Sequence, residues 1–312
     1  MKVLLTSTSF QDCDGAHKEL LNHQGWDVSY LRGPLKKSEI IGEVANYDAL
    51  ICGDDELDRE VLEKGAAGRL KFISKYGVGL DKIDLVAAKE LGIPVTNCPG
   101  VNQIAVAEHV LAMIFSFFKN IHLSHEITSQ GGWKRPLGNE LFEKKIGIVG
   151  LGAIGKELAK RTPFLGMETY VYDVNLDLEF VKDKELNVLT SLMDIFRTCD
   201  IISLHVPLIA STKGLISAEL LSEHAKPGLV LVNTSRAGLV EEQDILDAVE
   251  NGNLGGYLTD VLAVEPMVQS CILKNKPRVL ITPHIGSRTR ETIQRQGYKA
   301  VINLIKQVND YI

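Results

Sequence analysis

Residues 144–159 read KKIGIVGLGAIGKELA and place Gly150, Gly152 and Gly155 between an apolar strand pattern and a helix pattern. In such a G-x-G-x-x-G motif the first glycine permits a tight turn, the second lets the backbone approach a pyrophosphate, and the third allows close helix–strand packing. The helix that follows directs its first amide groups at a phosphate. The stretch predicts a dinucleotide site, with Ala153 and Ile154 as further contacts at the helix start.

The next strand pattern, ETYVYD at residues 168–173, ends in the carboxylate of Asp173. An acidic residue about 20 positions past the glycines accepts hydrogen bonds from ribose hydroxyls and repels a 2′-phosphate. We therefore expect NAD as the cofactor rather than NADP. A flavin can use the same glycine motif, but the rest of the chain offers no evident partner for an isoalloxazine ring.

Strand and helix patterns alternate along the whole chain, which is typical of α/β units on parallel sheets. The strand patterns occupy residues 2–6, 27–31, 48–53, 71–75 and 93–96, and then 145–149, 168–172, 201–204, 229–233, 256–260 and 279–282. The helix patterns occupy residues 16–23, 38–45, 58–64 and 84–91, and then 154–162, 191–197, 218–223, 241–250 and 290–310. We predict an α/β protein with two doubly wound parallel-sheet domains and a cleft between them.

The last helix pattern follows the second series of strands, and we expect it to return to the first series. Residues 1–98 with 287–312 are then a discontinuous, flavodoxin-like substrate-binding domain, and residues 99–286 are a Rossmann NAD-binding domain. Within the second domain, an apolar helix pattern and a turn-rich stretch at about 104–140 form an arm. We interpret the apolar part of that arm as a buried helix.

The composition is that of a globular protein and does not favour polyanionic partners. Of 312 residues, 45% are hydrophobic and 24% are charged, and the net charge is −6. Nucleic acids and anionic membranes recruit basic surfaces, so we expect neither as a partner. The N-terminus lacks the apolar core of a secretory signal, and the apolar run 104–118 is too short to span a bilayer. These features favour a cytoplasmic protein.

The cysteines lie far apart in the sequence and show no C-x-x-C spacing. There are five of them, at positions Cys13, Cys52, Cys98, Cys199 and Cys271. An odd number without paired spacing favours free thiols in a reducing compartment. We predict no metal site.

Seven motifs follow one another in order along nearly the whole chain. They are KYGVGLDKID (75–84), NCPGVNQIAVAEH (97–109), GIVGLGAIG (147–155), HVPL (205–208), LVNTSRAGLVEE (231–242), TDVLAVEP (259–266) and TPHIGS (282–287). With these motifs the chain resembles the NAD-dependent D-isomer-specific 2-hydroxyacid dehydrogenases, relatives of phosphoglycerate dehydrogenase, glyoxylate/hydroxypyruvate reductase and formate dehydrogenase. The resemblance implies hydride transfer between NAD(H) and C2 of a small 2-hydroxy or 2-oxo acid.

The resemblance also implies a catalytic set of Arg236, Glu265 and His284. Reduction of a 2-oxo group leaves an alkoxide that needs a proton, and histidine ordinarily titrates near neutral pH. A glutamate orients such a histidine and favours its charged form, and an arginine offers a planar fork for a carboxylate. Each residue alone has an ordinary structural interpretation. Their positions just past strand patterns, where α/β sheets place ligands, favour the functional one.

Further cofactor contacts follow from the same resemblance. Asp260 matches the family position that contacts the nicotinamide carboxamide, and Thr234 and Ser235 line the nicotinamide pocket. His205 lies on the cofactor side of the HVPL motif, and we do not assign it a catalytic role. The full set predicted from these motifs is His205, Val206, Pro207, Thr212, Thr234, Ser235, Asp260 and Gly286.

The substrate-binding residues are predicted in the first domain. Gly77, Val78 and Gly79 form a glycine-rich loop whose amide groups suit a carboxylate, as in anion-binding nests. Lys75 adds charge at the start of that motif, and Asn102 in the GVNQ loop contacts substrate or cofactor.

Other functions are compatible with the same fold. An NAD(H)-sensing corepressor is one, although the intact Arg236–Glu265–His284 set favours an enzyme. A formate-type dehydrogenase is disfavoured because that branch commonly carries glutamine at the position of Glu265, whereas a phosphite-type enzyme stays open because of Lys75. By family analogy we expect a homodimer that uses the arm as its interface.

The substrate itself is left open between phosphorylated and unphosphorylated acids. Phosphoglycerate enzymes use an arginine after the third strand of the substrate domain, and here the corresponding segment ALICGDDELD carries Asp54 and Asp55 instead. Two carboxylates at the mouth of a cleft repel a phosphate. Since the sequence ends at Ile312, we also expect no regulatory domain of the kind that many serine-pathway relatives carry, although shorter phosphoglycerate enzymes exist. We therefore expect a small unphosphorylated acid.

Overall fold

The computed structural model describes residues 1–311, and these form two compact units. Unit 1 comprises Met1–Asn102 and the chain from Arg288 onwards, and unit 2 comprises Gln103–Ser287. Each unit has its own parallel sheet and its own hydrophobic clusters.

Unit 1 is built from short strands and helices in alternation. Its strands are β1 (Lys2–Leu5), β2 (Asp27–Tyr30), β3 (Ala49–Cys52), β4 (Phe72–Lys75) and β5 (Val95–Thr96). Its helices are α1 (Thr8–Asp12), α2 (Ala16–Asn22), α3 (Lys37–Ile40), α4 (Arg59–Ala67), α5 (Leu85–Glu90) and, after unit 2, α12 (Arg290–Tyr311), with a 3₁₀ turn at Val44–Asn46.

Unit 2 begins with two helices and continues with a longer alternation. Its helices are α6 (Gln103–Phe118), α7 (Ile121–Ser129), α8 (Ala153–Ala159), α9 (Leu178–Asp183), α10 (Leu192–Thr198) and α11 (Glu242–Glu250). Its strands are β6 (Lys145–Val149), β7 (Glu168–Tyr172), β8 (Asn187–Val188), β9 (Ile201–Leu204), β10 (Leu229–Asn233), β11 (Leu254–Thr259) and β12 (Val279–Ile281). Short 3₁₀ turns at Pro163–Leu165 and Ala237–Leu239 and a π-helical turn at Leu220–His224 complete it.

Both sheets are parallel throughout the described residues, and their strand orders define the fold. The sheet of unit 1 runs β2-β1-β3-β4-β5, which is the flavodoxin-like order. The sheet of unit 2 runs β12-β11-β10-β9-β6-β7-β8, which is the Rossmann order with one strand added at an edge. The predicted fold class of two doubly wound parallel sheets is confirmed.

The central strands carry continuous apolar runs because helices cover both faces of each sheet. Every residue of β3, β9 and β10 is buried, so these strands lack the alternation of a half-exposed strand. Helix ends are fixed locally: the Asp58 carboxylate accepts from the Val61 amide at the start of α4, and Asp84 does the same for α5.

Helix α12 returns to unit 1 and closes its core. Ala300, Val301 and Leu304 pack in one cluster with residues of β1, β3 and β4. Ser74 in β4 donates to the Ala300 carbonyl at 2.7 Å, and Gln307 donates to the carbonyls of Ile73 and Pro94 at 3.2 and 3.0 Å. The buried amide of Gln307 therefore joins α12 to two neighbouring strand segments.

Two further predictions concern the thiols and the apolar arm. The five cysteines are free thiols, as predicted. Within residues 1–311, no helix by itself has the length and apolar character to cross a membrane, and only α6 with α7, bent by 63° at their junction, meet that criterion as a pair. Helix α6 buries Ala107, Val110 and Ile114 in a cluster with β6, in agreement with the predicted buried helix.

Candidate active site

The glycine motif forms the turn between β6 and α8 and is built for close backbone contacts. Gly150 lies at φ +99°, and a Cβ there would stand 2.6 Å from the His205 carbonyl oxygen. A Cβ on Gly155 would stand 2.1 Å from the carbonyl oxygen of Gly150, so no larger residue fits. At Gly152 a Cβ would meet nothing within 4 Å, so this backbone is open to an approaching group, and α8 begins directly afterwards at Ala153 and Ile154.

Asp173 links the end of β7 to the glycine turn. One oxygen of its carboxylate accepts from the Leu151 amide at 2.6 Å, and the other accepts from the Asn175 amide at 2.8 Å. The carboxylate is therefore held beside the turn that carries Gly150 and Gly152. In dinucleotide-binding α/β folds an acidic residue about 20 positions past the glycines contacts the ribose, and Asp173 stands at a comparable distance.

Buried polar atoms without a protein partner lie at the ends of β9 and β10. Within residues 1–311, Nδ1 of His205 and Oγ1 of Thr234 are buried and lack a hydrogen-bond partner. Burial lowers the pKa of His205 to about 4, and Nε2 of the ring lies 2.9 Å from Oγ of Ser203. Buried polar groups normally have partners, so these atoms fit the polar end of a bound cofactor.

The HVPL segment after β9 is fixed by short contacts. Thr212 donates its hydroxyl to the Pro207 carbonyl at 2.6 Å and accepts from the Ile209 amide at 2.9 Å. Val206 lies against the glycine turn, since its Cγ1 is 2.9 Å from the position of a Cβ on Gly150. Thr212 thus shapes this loop through its own hydrogen bonds.

Arg236 follows β10 in a turn that Asn233 organises. The buried amide side chain of Asn233 accepts from the Ser235 amide at 3.1 Å and donates to the Arg236 carbonyl at 2.9 Å. Ser235 donates its hydroxyl to the Leu204 carbonyl, and one guanidinium nitrogen of Arg236 donates to the Ser235 carbonyl at 2.8 Å. The NTSR sequence therefore folds into a turn that presents a half-buried arginine at the carboxyl edge of the sheet.

His284 and Glu265 are brought together by the loops that follow β12 and β11. Nδ1 of His284 lies 2.7 Å from Oε2 of Glu265, and Oε1 of the glutamate accepts from the Leu262 amide at 2.9 Å. His284 itself lies in the left-handed region at φ +55°. The pair forms an imidazole–carboxylate couple able to hold and release a proton.

Asp260, predicted as a carboxamide contact, is bonded to the protein's own donors. Its carboxylate is 2% exposed and accepts from the hydroxyl of Thr282 and from the amides of Ile285 and Gly286. Burial raises its pKa, but hydrogen bonds from His109, Thr282 and the two amides outweigh this, so the pKa is lowered overall. The sequence did not single out His109 or Thr282, although both lie in the quoted motifs.

The predicted substrate loop of unit 1 follows β4. Gly77 lies at φ +143°, and its carbonyl accepts from the Cys98 amide at 2.8 Å, while the Val78 carbonyl accepts from Asn97 at 2.7 Å. Gly79 continues this loop, and Asn102 is half-buried at the last position of the first segment of unit 1.

Lys75 is buried, with Nζ 2.6 Å from Oδ1 of Asp54 and bonded also to the Gly53 carbonyl.

The interpretation of Asp55 as a carboxylate facing substrate is wrong. Its side chain is fully buried and accepts from the Thr6 hydroxyl, from the Leu35 amide at 2.6 Å and from the Gly53 amide at 3.0 Å. Burial raises its pKa above the usual range, against the effect of these hydrogen bonds. The Asp55 carboxylate therefore holds neighbouring loops together, and of the two adjacent aspartates only Asp54 is exposed.

Comparison with known proteins gives a family match across the site. Residues 111–286 match the family model described as D-isomer specific 2-hydroxyacid dehydrogenase, NAD binding domain. The D-3-phosphoglycerate dehydrogenase of Bacillus subtilis is 35% identical over 273 residues, which is 86% of this chain and 50% of that protein. The hydroxypyruvate reductase of Thermotoga maritima is 33% identical over 284 residues, 88% of this chain and 89% of that protein. The chain spans about half the length of the phosphoglycerate dehydrogenases it matches.

Solved structures resemble the whole chain. The TT0316 protein from Thermus thermophilus has a TM-score of 0.86 at 33% identity and covers 99% of this chain and 97% of its own. A D-lactate dehydrogenase from Aquifex aeolicus, complexed with NAD and lactic acid, has a TM-score of 0.84 at 29% identity, with coverage of 99% and 96%.

Proposed function

The chain belongs to the D-isomer-specific 2-hydroxyacid dehydrogenase family, and on this basis we propose that it transfers a hydride between NAD(H) and C2 of a small D-2-hydroxy or 2-oxo acid. The observation that carries the proposal is the 2.7 Å contact between His284 and Glu265 at the sheet edge that also holds the glycine turn. The experiment is NADH oxidation with a panel of 2-oxo acids. The absence of turnover with every acid would refute the proposal.

The residues around the glycine turn fit NAD. The open backbone at Gly152, the carboxylate of Asp173 and the buried polar atoms of His205 and Thr234 suit the pyrophosphate, the ribose and the nicotinamide end, respectively. When bound, NADH supplies the hydride that reduces C2. The chain contributes binding, orientation and the proton.

His284 is the proposed acid in the reductive direction and the base in the oxidative one. Since Nδ1 faces the carboxylate of Glu265, Nε2 is the nitrogen that we assign to proton exchange with the oxygen on C2. Glu265 fixes the ring orientation and stabilises the imidazolium that forms when the substrate alcohol gives up its proton. His205, which burial keeps neutral, serves the cofactor side instead.

Arg236 is the proposed anchor for the substrate. A guanidinium forms two parallel hydrogen bonds with a carboxylate and stays charged at any working pH. The Asn233 turn holds the arginine backbone at the carboxyl end of β10. In unit 1, the loop of Gly77, Val78 and Gly79, with Lys75 and Asn102, supplies the other proposed substrate contacts.

The proposed substrate is unphosphorylated. Lys75 is paired with Asp54 at 2.6 Å, so the positive charge of this lysine is already compensated within unit 1. A phosphate group gains less from such a pair than from an uncompensated cation, and the exposed carboxylate adds repulsion. We therefore place pyruvate, glyoxylate and hydroxypyruvate ahead of 3-phosphohydroxypyruvate.

The proposed assembly is a cytoplasmic homodimer. The arm exposes large apolar side chains, among them Trp133 at 80% and Leu137 at 94% exposure. Apolar surface of this kind is characteristic of an interface between subunits. Light scattering coupled to size-exclusion chromatography gives the mass directly, and a monomeric mass would contradict the dimer.

A further inference from the structure

The carboxylate of Asp260 connects the end of β11 to the residues that follow His284. Oδ1 accepts from the Thr282 hydroxyl at 2.6 Å and from the Ile285 amide at 2.9 Å, and Oδ2 accepts from the Gly286 amide at 2.7 Å. The two amides belong to the two residues directly after His284. One buried carboxylate therefore fixes the backbone on the carboxyl side of the proposed proton carrier.

The backbone of His284 requires such a restraint. A non-glycine residue in the left-handed region is disfavoured by contact between its Cβ and the neighbouring peptide, and it persists only where surrounding contacts impose it. The His284 amide donates to the Thr282 carbonyl at 3.0 Å on one side. Asp260 supplies the restraint on the other side.

The side chains of Thr282 and His109 contact the carboxylate of Asp260. The Thr282 hydroxyl has one hydrogen and gives it to Asp260, so it accepts at its oxygen from Nε2 of His109, which lies 3.0 Å away. The same nitrogen lies 3.4 Å from Oδ1 of Asp260. His109 thus carries a hydrogen on Nε2 and presents it to both the threonine and the carboxylate.

The absence of a side chain at Gly286 lets the backbone after His284 lie close to Asp260 and His109. A Cβ on Gly286 would stand 3.0 Å from Oδ2 of Asp260 and 3.4 Å from Cδ2 of His109. The glycine therefore lets the loop backbone lie directly on the carboxylate and the imidazole. His109 reaches this point from α6, far away in the sequence.

We propose that His109 and Thr282 are positioning residues for proton transfer: they hold Asp260, and through it the Ile285–Gly286 backbone, so that His284 keeps the orientation in which it exchanges a proton. The inference rests on the function proposed for His284. His109 and Thr282 act through Asp260 and are not themselves catalytic.

The first test is independent of catalysis and uses the cofactor-free protein. Amide hydrogen exchange is measured by NMR at Ile285 and Gly286, with the Asp200 and Val230 amides, bonded to the carbonyls of Lys145 and Asp200, as internal references. Thr282→Val removes the hydroxyl at nearly the same volume and should speed exchange at Ile285 and Gly286 at least tenfold. Thr282→Ser restores the hydroxyl and should restore protection. Unchanged exchange in Thr282→Val overturns the inference.

The second test separates positioning from general stability. Thr282→Val and His109→Leu should lower kcat at least tenfold, while the KM for the 2-oxo acid and the NADH dissociation constant stay within about twofold. His109→Gln retains a nitrogen donor at the Nε2 position and should recover most of kcat. A loss confined to KM, or an equal loss in Thr282→Ser and Thr282→Val, overturns the inference.

The two experiments distinguish this inference from the proposed function. If the wild-type protein turns over no 2-oxo acid, the proposed function fails, and the exchange experiment still decides whether Thr282 and His109 hold the loop. If exchange rises in Thr282→Val while kcat is unchanged in an active enzyme, the contacts exist but the positioning role is refuted. Thermal unfolding of each variant establishes that the comparison is made on folded protein.

Discussion

Nδ1 of His284 lies 2.7 Å from Oε2 of Glu265, and the second oxygen of that carboxylate accepts from the Leu262 amide. Both oxygens of Glu265 are therefore engaged, one by the histidine ring and one by the backbone of its own loop. The chain itself fixes the ring orientation of His284. The role proposed for His284 in proton transfer can therefore be tested by substitution of either residue.

Replacing His284 by asparagine should lower kcat by about 10²- to 10⁴-fold, because an amide cannot exchange the proton that the oxygen on C2 requires. NADH binding, measured by fluorescence titration, should stay nearly unchanged. Glu265→Gln, which retains the size of the side chain, should keep more activity than His284→Asn. A His284→Asn enzyme with near-normal turnover would exclude this residue from the mechanism.

Replacing Arg236 by lysine should cost about 2–4 kcal/mol in kcat/KM, since lysine keeps the charge but loses the planar fork. Steady-state kinetics with the best 2-oxo acid measures this loss. Arg197→Lys, at an exposed arginine bonded to His224, is the matched control. Full activity in Arg236→Lys would mean that only positive charge is needed at this position.

Asp173 should make NAD(H) strongly preferred over NADP(H), because a 2′-phosphate would meet its carboxylate. Asp173→Ala should narrow the ratio of kcat/KM values, mainly by weakening NAD(H), since the variant also loses the bond to the Leu151 amide. Asp183→Ala removes an exposed carboxylate outside the glycine turn and serves as control. Equal use of both cofactors by the wild-type protein contradicts the assignment.

His17 should make unit 1 less stable in mild acid. Its ring is fully buried, with Nε2 3.2 Å from the Phe10 carbonyl oxygen, and burial lowers its pKa below the ordinary 6.5. Below about pH 6.5 the unfolded chain binds a proton at His17 that the folded chain does not bind. The free energy of unfolding therefore falls as pH drops, by at most about 1.4 kcal/mol per pH unit.

Denaturant midpoints between pH 7.5 and 5.5 measure the stability loss attributed to His17. His17→Gln lowers stability at all pH values but should flatten the pH dependence, whereas His23→Gln, at an exposed histidine after α2, should leave the slope unchanged. Parallel pH profiles for wild type and His17→Gln would show that His17 does not cause the acid sensitivity.

The Lys75–Asp54 pair should set the preference for unphosphorylated substrates. Wild-type kcat/KM should be higher for pyruvate, glyoxylate or hydroxypyruvate than for 3-phosphohydroxypyruvate. Asp54→Asn leaves Lys75 uncompensated and should shift that ratio towards the phosphorylated acid by roughly tenfold, equivalent to about 1.4 kcal/mol. Glu56→Gln removes a neighbouring exposed charge as control. A wild-type preference for the phosphorylated acid by tenfold or more contradicts this assignment.

The sequence predicted the strands well where their residues are buried on both faces. The patterns at 145–149 and 229–233 coincide with β6 and β10, because continuous apolar runs between turn residues leave few alternatives. It missed β8, whose two exposed residues carry no apolar pattern, and α9, which is short. The predicted helix 38–45 divides into α3 and a separate 3₁₀ turn, with Gly42 between them.

The sequence predicted those residues of the candidate site that stand in motifs, but not the contacts between distant residues. Arg236, Glu265 and His284 stand in recognisable sequences, but the pairing of His109 with Thr282 joins residues 173 positions apart, which neither spacing nor periodicity reveals. Asp54 and Asp55 are adjacent and chemically identical in the sequence. Only the loop packing separates the exposed carboxylate from the buried one.

The return of α12 to unit 1 has a consequence for the order in which the nascent chain folds. Domains usually fold from the N-terminus during synthesis, at roughly 5–20 residues per second. Here Ala300, Val301 and Leu304 complete the core of unit 1. Unit 1 therefore cannot complete its folding until unit 2 has been translated, which takes roughly 10–40 s. During this interval the face of β4 that α12 later covers is accessible to chaperones. We therefore expect the ribosome-bound chain to interact with chaperones until α12 has emerged.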